Sequence, residues 1–164
     1  QLGTETLNER LQKALNPAGK PVTAQGSLRA GDKVMQIVNN YDKDVFNGDL
    51  GTITSVDTMA GSVEVDFEGR AVSFERLEVA DLQPAYAISV HKSQGSEYPV
   101  VVFPLLKQHY MMLQRNLVYT GLTRAKRKVI FVGDPTAFAM AIRNDKTLAR
   151  RTDLIRKLEH VLSK

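Results

Sequence analysis

The pattern from Ser62 to Phe74 constrains the fold more than any other feature. Val63, Val65 and Phe67 fall on one face of an alternating run, Glu68-Gly69 supplies a tight turn, and residues 70–74 return as a second strand. A side-chain period of two sends one face to a core and the other to water, so this segment reads as an antiparallel hairpin. The same texture extends upstream. Residues 32–39 read as a strand with Val34, Gln36 and Val38 opposed to Met35 and Ile37, and residues 51–57 alternate again. Asn39-Asn40-Tyr41-Asp42, Asn47-Gly48-Asp49 and Met59-Ala60-Gly61 read as turns. Short strands at this spacing predict a small antiparallel barrel over residues 30–80.

The flanks differ. Leu7, Leu11 and Leu15 recur at helical spacing over 5–15, and Asn16-Pro17 stops the helix. From Pro84 the pattern predicts a strand over 85–90, a polar loop over 91–97 and a continuous apolar strand over 99–104, the mark of a sheet buried on both faces. A helix over 116–124 follows, with Leu117, Val118 and Leu122 apolar, then a second buried strand over 128–132 closed by Gly133-Asp134-Pro135. Residues 136–144 read as a helix with Phe138, Ala141 and Ile142 inward, and 153–162 as a final amphipathic helix. Buried strands alternating with helices argue for a parallel α/β sheet, with the barrel as an insertion inside it.

Composition excludes several classes. Hydrophobic residues make up 43% and charged residues 24% of the 164, enough for a real core. No apolar run is long enough to span a membrane, and the first residues lack the basic-then-apolar pattern of a signal peptide. The chain does not begin with Met, so a piece of a longer protein is expected. With no Cys, a disulfide scaffold and a thiolate metal site are excluded, and a cytoplasmic location fits. His91, His109 and His160 lack ligand spacing, so no metal site is expected. The net charge of +4 is a weak pointer to nucleic acid, and basic residues crowd the last third of the chain.

Two segments carry chemistry. The loop Ser89-Val90-His91-Lys92-Ser93-Gln94-Gly95-Ser96-Glu97 follows an expected strand and offers a cation, hydroxyls, an amide and a carboxylate, a set suited to phosphate and ribose. Arg124 lies near the end of a short helix, just before a strand, where a fixed guanidinium can reach a phosphate. Alone, Arg124, Lys126, Arg127 and Lys128 read equally as cations favouring a helix C-terminus.

Taken together, the segments resemble a known pattern. Tyr86-Ala87-Ile88-Ser89-Val90-His91-Lys92-Ser93-Gln94-Gly95-Ser96-Glu97 resembles motif V of superfamily 1 helicases, and the stretch from Arg115 to Lys126, with Tyr119-Thr120-Gly121-Leu122-Thr123-Arg124-Ala125, resembles motif VI. Gly31-Asp32-Lys33-Val34-Met35-Gln36, Asn39-Asn40-Tyr41-Asp42 and Phe46-Asn47-Gly48-Asp49-Leu50-Gly51 resemble the start of the barrel inserted in RecD-type enzymes. Leu7-Asn8 through Leu15-Asn16-Pro17 resembles the segment before it. The resemblance is to RecD-like superfamily 1 DNA helicases, the exodeoxyribonuclease V alpha subunit family, and it runs to about Asp134.

The resemblance implies a second RecA-like (P-loop NTPase-like) motor domain, residues 1–29 and 81–164, carrying an SH3-like barrel at 30–80. It implies an ATP-dependent DNA helicase moving 5′ to 3′ in recombination and repair, with ATP and Mg²⁺ bound mainly by a first motor domain. Arg124 is then the arginine finger, Gln94 and Gly95 lie near the phosphates, and Glu97 contacts the ribose. Ser89, His91 and Lys92 face single-stranded DNA, and Asn39, Asn40 and Tyr41 help the barrel hold it. The partners implied are single-stranded DNA and the first motor domain, and the family also allows RecB/RecC-like subunits. No Gly-x-x-x-x-Gly-Lys-Ser/Thr loop occurs in the chain, so the first motor domain is expected upstream and the chain alone is expected to hydrolyse no ATP. Two other readings stay open: a nucleic-acid- or protein-binding module without a motor, and a relaxase-linked conjugative helicase.

Overall fold

The computed structural model describes residues 3–23 and 26–145, so the helix expected over 153–162 lies outside the described residues. The chain divides into two compact units, Gln1–Ser93 and Gln94–Lys164.

The first unit opens with α1 (Thr4–Leu15), followed by β1 (Lys33–Gln36), β2 (Leu50–Asp57), β3 (Ser62–Phe67), β4 (Arg70–Phe74), a 3₁₀ turn at Glu78–Asp81, and β5 (Leu82–Pro84). The strands form a five-stranded sheet in the order β4-β3-β2-β1-β5, with antiparallel neighbours throughout. The β3–β4 hairpin has the expected register, with Val65 opposite Val72 and Phe67 opposite Arg70. Its two turn residues, Glu68 and Gly69, have φ of 53° and 92°, the left-handed pair whose twist suits a two-residue hairpin. Val63, Val65, Phe67, Val72 and Phe74 join Val22, Leu28, Val34, Val45, Ile53 and Leu82 in one core. Strand β1 does not alternate as expected. It lies between β2 and β5, and Val34, Met35 and Gln36 are all buried, so both of its faces are covered.

The strand expected over 85–90 does not form. The ladder ends as the Ala85 N–H donates to the Lys33 carbonyl at 2.8 Å. Beyond it, both backbone groups of Ala87 are taken by the Asn8 carboxamide of α1, which leaves them no need of a neighbouring strand. α1 and its C-terminal cap also reach the residue before β1, as Gln12 and Asn16 both donate to Asp32. These bonds are why the compact unit extends past the barrel at both ends, from α1 to Ser93.

The second unit contains β6 (Tyr98–Leu105), a 3₁₀ segment at Lys107–Met112, α2 (Arg115–Leu122), β7 (Ala125–Gly133) and α3 (Pro135–Arg143). β6 and β7 pair in parallel, with Val101 opposite Val129 and Phe103 opposite Phe131, and α2 lies in the crossover between them. Phe103 packs on a cluster of Leu105, Leu113, Val118, Ala137 and Ala141. Gly121 permits this packing, because a Cβ there would stand 2.3 Å from Phe103 Cε2.

Two expectations need correction here. The strands are not buried on both faces: Val100 and Val102 are 49% and 60% exposed, and Ile130 and Val132 are also exposed. Among the described residues the sheet has two strands, and α2 and α3 cover only the face of Phe103 and Leu105. On α3 the inward residues are Ala137 and Ala141, while Phe138 and Ile142 are exposed. The small residues lie where the helix approaches most closely, and Phe138 instead meets Phe131 in a tilted contact with ring centres 4.8 Å apart.

Candidate functional site

In the second unit the parallel register fixes the arrangement. Tyr98 opens β6 opposite Ala125 of β7, and the Tyr98 N–H donates to the Arg124 carbonyl at 2.8 Å. This bond puts Arg124, two residues past the end of α2, beside the loop that leads into β6. Its guanidinium donates from Nη1 to the Ser96 carbonyl at 3.1 Å and from Nη2 to Thr123 Oγ1 at 3.5 Å. Its Nε is buried without an acceptor, and among the described residues no carboxylate pairs with it. The guanidinium is thus held by neutral oxygens and carries a positive charge that no carboxylate among the described residues offsets. Glu97 stands on the same strand entry and pairs with Lys126 at 3.3 Å. That pair is exposed, so it contributes about 0–1 kcal/mol and yields readily to another partner. Gln94 and Gly95 are exposed in the same loop. Gln94, Gly95, Glu97 and Arg124 therefore belong to one end of the two-stranded sheet.

Ser89, His91 and Lys92 belong to the first unit, in a tight turn. The Ser89 carbonyl accepts from the Ser93 N–H at 3.1 Å, Ser89 Oγ from the Lys92 N–H at 3.3 Å, and Ser93 Oγ donates to the Val90 carbonyl at 2.7 Å. His91 and Lys92 are exposed, and Lys92 Nζ donates to Gln83 Oε1 at 3.0 Å. The turn thus presents a cation and an imidazole from a backbone closed by its own hydrogen bonds.

Asn39, Asn40 and Tyr41 form a third place, after β1. The Asn39 side chain accepts from the Asn47 N–H at 2.9 Å and donates to the Tyr41 hydroxyl at 3.3 Å. Asn40 accepts from the Lys43 N–H at 3.2 Å and donates to Glu78 at 3.4 Å. The two amides thus have turn-building work, whereas Tyr41 is 76% exposed. Phe46 stands edge-on to it at 5.9 Å and is also exposed. The sequence reading did not single out Phe46; its signal is an aromatic residue inside a polar turn cluster. Between Tyr41 and Phe46 in the chain, the carbonyls of Lys43 and Asp44 accept from Arg70 at 2.7 and 2.6 Å, and Lys43 pairs with Glu78. Lys43 and the Glu75 backbone hold the Glu78 carboxyl below its usual pKa.

Asp32 is a further residue that pattern alone did not mark. It is fully buried and accepts from Gln12 at 2.6 Å, Asn16 at 2.7 Å, the Arg29 N–H at 2.8 Å and the Tyr86 hydroxyl at 2.9 Å. Burial, and then Asp32 itself, pushes the Tyr86 hydroxyl above its usual pKa, keeping it a donor.

The chain matches two described families. Residues 7–67 match the "ATP-dependent RecD-like DNA helicase SH3 domain", and residues 84–132 the "UvrD-like helicase C-terminal domain". It is 39% identical over 158 residues to an ATP-dependent RecD2 DNA helicase of Deinococcus radiodurans, covering 96% of this chain and 22% of the relative. It is 30% identical over 158 residues to the RecBCD enzyme subunit RecD of Mycolicibacterium smegmatis, covering 95% of this chain and 27% of the relative. The chain therefore spans about a quarter of these relatives' length. Among solved structures, a Bacteroides Pif1 helicase in complex with ADP-AlF3 and ssDNA superposes with a TM-score of 0.56 at 20% identity, over 84% of this chain and 34% of that one. This likeness establishes the fold: a RecA-like parallel α/β element together with a small SH3-like antiparallel sheet. The chain belongs to the RecD-like DNA helicase family and corresponds to the C-terminal region of its members.

Proposed function

We propose that this chain is the C-terminal part of an ATP-driven DNA helicase, in which Arg124 acts as the arginine finger. In this reading residues 1–29 and 81–164 are the second motor domain and residues 30–80 its inserted barrel. The observation that carries the reading is the state of Arg124: a half-buried guanidinium with no carboxylate partner among the described residues and an unfilled Nε. It supports a role against phosphate charge that a first motor domain holds with ATP and Mg²⁺. Gln94 and Gly95 then line the phosphates and Glu97 meets the ribose, exchanging Lys126 for a hydroxyl. Ser89, His91 and Lys92 with Asn39, Asn40 and Tyr41 form the track for single-stranded DNA. The relatives' names support ATP-dependent helicase activity and, for the RecD subunits, membership of a RecBCD enzyme; in this reading the longer protein works with RecB/RecC-like partners in recombination and repair. Movement is 5′ to 3′ and the location cytoplasmic; among the described residues no helix is long and apolar enough to cross a membrane.

The test is ATP turnover by the longer protein that carries this chain. Arg124→Ala lowers the turnover rate by about 10³–10⁵ while nucleotide still binds. Turnover within tenfold of the unaltered protein removes the arginine-finger assignment. The 164-residue chain by itself turns over no ATP.

A further inference from the structure

Residues 86–88, which lead into the turn at 89–93, are held by side chains and pair with no strand among the described residues. From α1, Asn8 Nδ2 donates to the Ala87 carbonyl at 2.9 Å while Asn8 Oδ1 accepts from the Ala87 N–H at 2.8 Å. A carboxamide in this pose copies the paired donor and acceptor of an antiparallel bridge, from a helix. One residue earlier, the Tyr86 hydroxyl bonds to buried Asp32, which also takes Gln12 from α1 and Asn16 at its C-terminal end. Each Asp32 oxygen receives two donors, so Tyr86, α1 and the start of β1 are fixed to one point. Two residues after Ala87, Ser89 begins the turn that carries His91 and Lys92.

We propose that Asn8, backed by Asp32 and Tyr86, is a positioning residue for the turn bearing Ser89, His91 and Lys92. Helix α1, and not the sheet, sets where that turn stands, and the hold on single-stranded DNA depends on it. The DNA half of this inference rests on the reading of residues 89–92 as DNA-facing. A clasp that served only stability would act equally on the whole unit and would leave DNA affinity alone once the chain is folded.

The test compares Asn8→Ala with Val63→Ala, a core truncation in the same unit, at a temperature where both variants are folded. Amide hydrogen exchange is read at Lys92, Ser93 and Val65, and oligo(dT) affinity by fluorescence anisotropy. Asn8→Ala speeds exchange at Lys92 and Ser93 by about tenfold or more and leaves Val65 unchanged. It weakens oligo(dT) binding by about tenfold. Val63→Ala does neither. Asn8→Asp, which keeps the acceptor and turns a second oxygen on the Ala87 carbonyl, reproduces Asn8→Ala. In a His91→Ala, Lys92→Ala background, Asn8→Ala has no further effect on affinity. Unchanged exchange at Lys92 and Ser93 overturns the positioning role. Faster exchange with unchanged affinity, or an equal loss from Val63→Ala, reduces the clasp to a structural one and overturns the proposal. If the unaltered chain does not bind oligo(dT), the DNA-facing reading fails, and the exchange result alone decides whether α1 positions the turn.

Discussion

The two units bury their apolar surface by different means. In the first, Val65 and Phe74 are fully shielded, and the hairpin that carries them is part of the sheet that shields them. In the second, Val102 sits in the middle of its strand at 60% exposure. The difference follows from the sequence period. An alternating strand asks for one covered face, and the neighbouring strands, turns and loops of an antiparallel sheet supply it locally. A continuous apolar run asks for two, and α2 and α3 meet only one of them.

The largest expected effects test whether the units stand independently. Phe74→Ala removes a fully buried ring from the first core and costs about 3–5 kcal/mol. Denaturant unfolding, with hydrogen exchange read separately at Val65 and Phe103, locates the loss; it falls on Val65 alone. An equal loss at Phe103 breaks the comparison, because the units then unfold as one. Gly121→Ala is the counterpart in the second unit. Alanine gains about 1 kcal/mol of helix propensity, but its Cβ meets Phe103 at 2.3 Å, and overpacking costs about 1–3 kcal/mol. Phe103 is backed by Phe131, with ring centres 5.8 Å apart, so it cannot simply move away and the sign is a net loss. The same exchange experiment reports that loss at Phe103 and not at Val65.

What the sequence made legible was local. The β3–β4 hairpin is set by its own turn, and its register follows from residues within the segment. The misread strand at 85–90 depends on Asn8, 79 residues away in the chain, and no periodicity near Ala87 carries that information. On α3 the pattern set Ala141 inward, as it is, but added the larger Phe138 and Ile142, while close approach required a second small residue, Ala137. At the candidate site the motif strings singled out Arg124, but its contact with Ser96 arises only from the parallel register of Tyr98 and Ala125. Asp32 stood at the start of an expected strand with nothing local to mark its role, and only the folded chain surrounds it with donors.

A smaller effect comes from acid. Asp134 caps α3, accepting from the Thr136 N–H at 2.8 Å and its hydroxyl at 2.7 Å. Thr136, and then Lys107, lower its pKa to about 2. Because the folded value lies below the unfolded one, its stabilisation is fully present above about pH 4 and is lost as pH falls toward 2. Asp134→Asn keeps a capping oxygen and removes the titration. The variant's second unit therefore loses less stability than the unaltered chain between pH 5 and about pH 2. Melting curves across that range check it; identical slopes assign the acid sensitivity to another group.

The smallest effect is that of Val102→Thr, read against the same substitution in the first unit. Val65→Thr sets a hydroxyl in a dry core with no acceptor and costs about 1–3 kcal/mol. Val102→Thr sets it on an exposed face and stays within about 0.5 kcal/mol. Urea midpoints on the 164-residue chain measure both. Repeated in the longer protein, the pair tests what the apolar run at 99–104 is for. If Val102→Thr then costs as much as Val65→Thr, the exposed face is covered there, and the continuous pattern encodes contacts from outside these residues. If it stays near zero, the face is open in the whole protein as well, and β-branched strand preference rather than burial accounts for the valines.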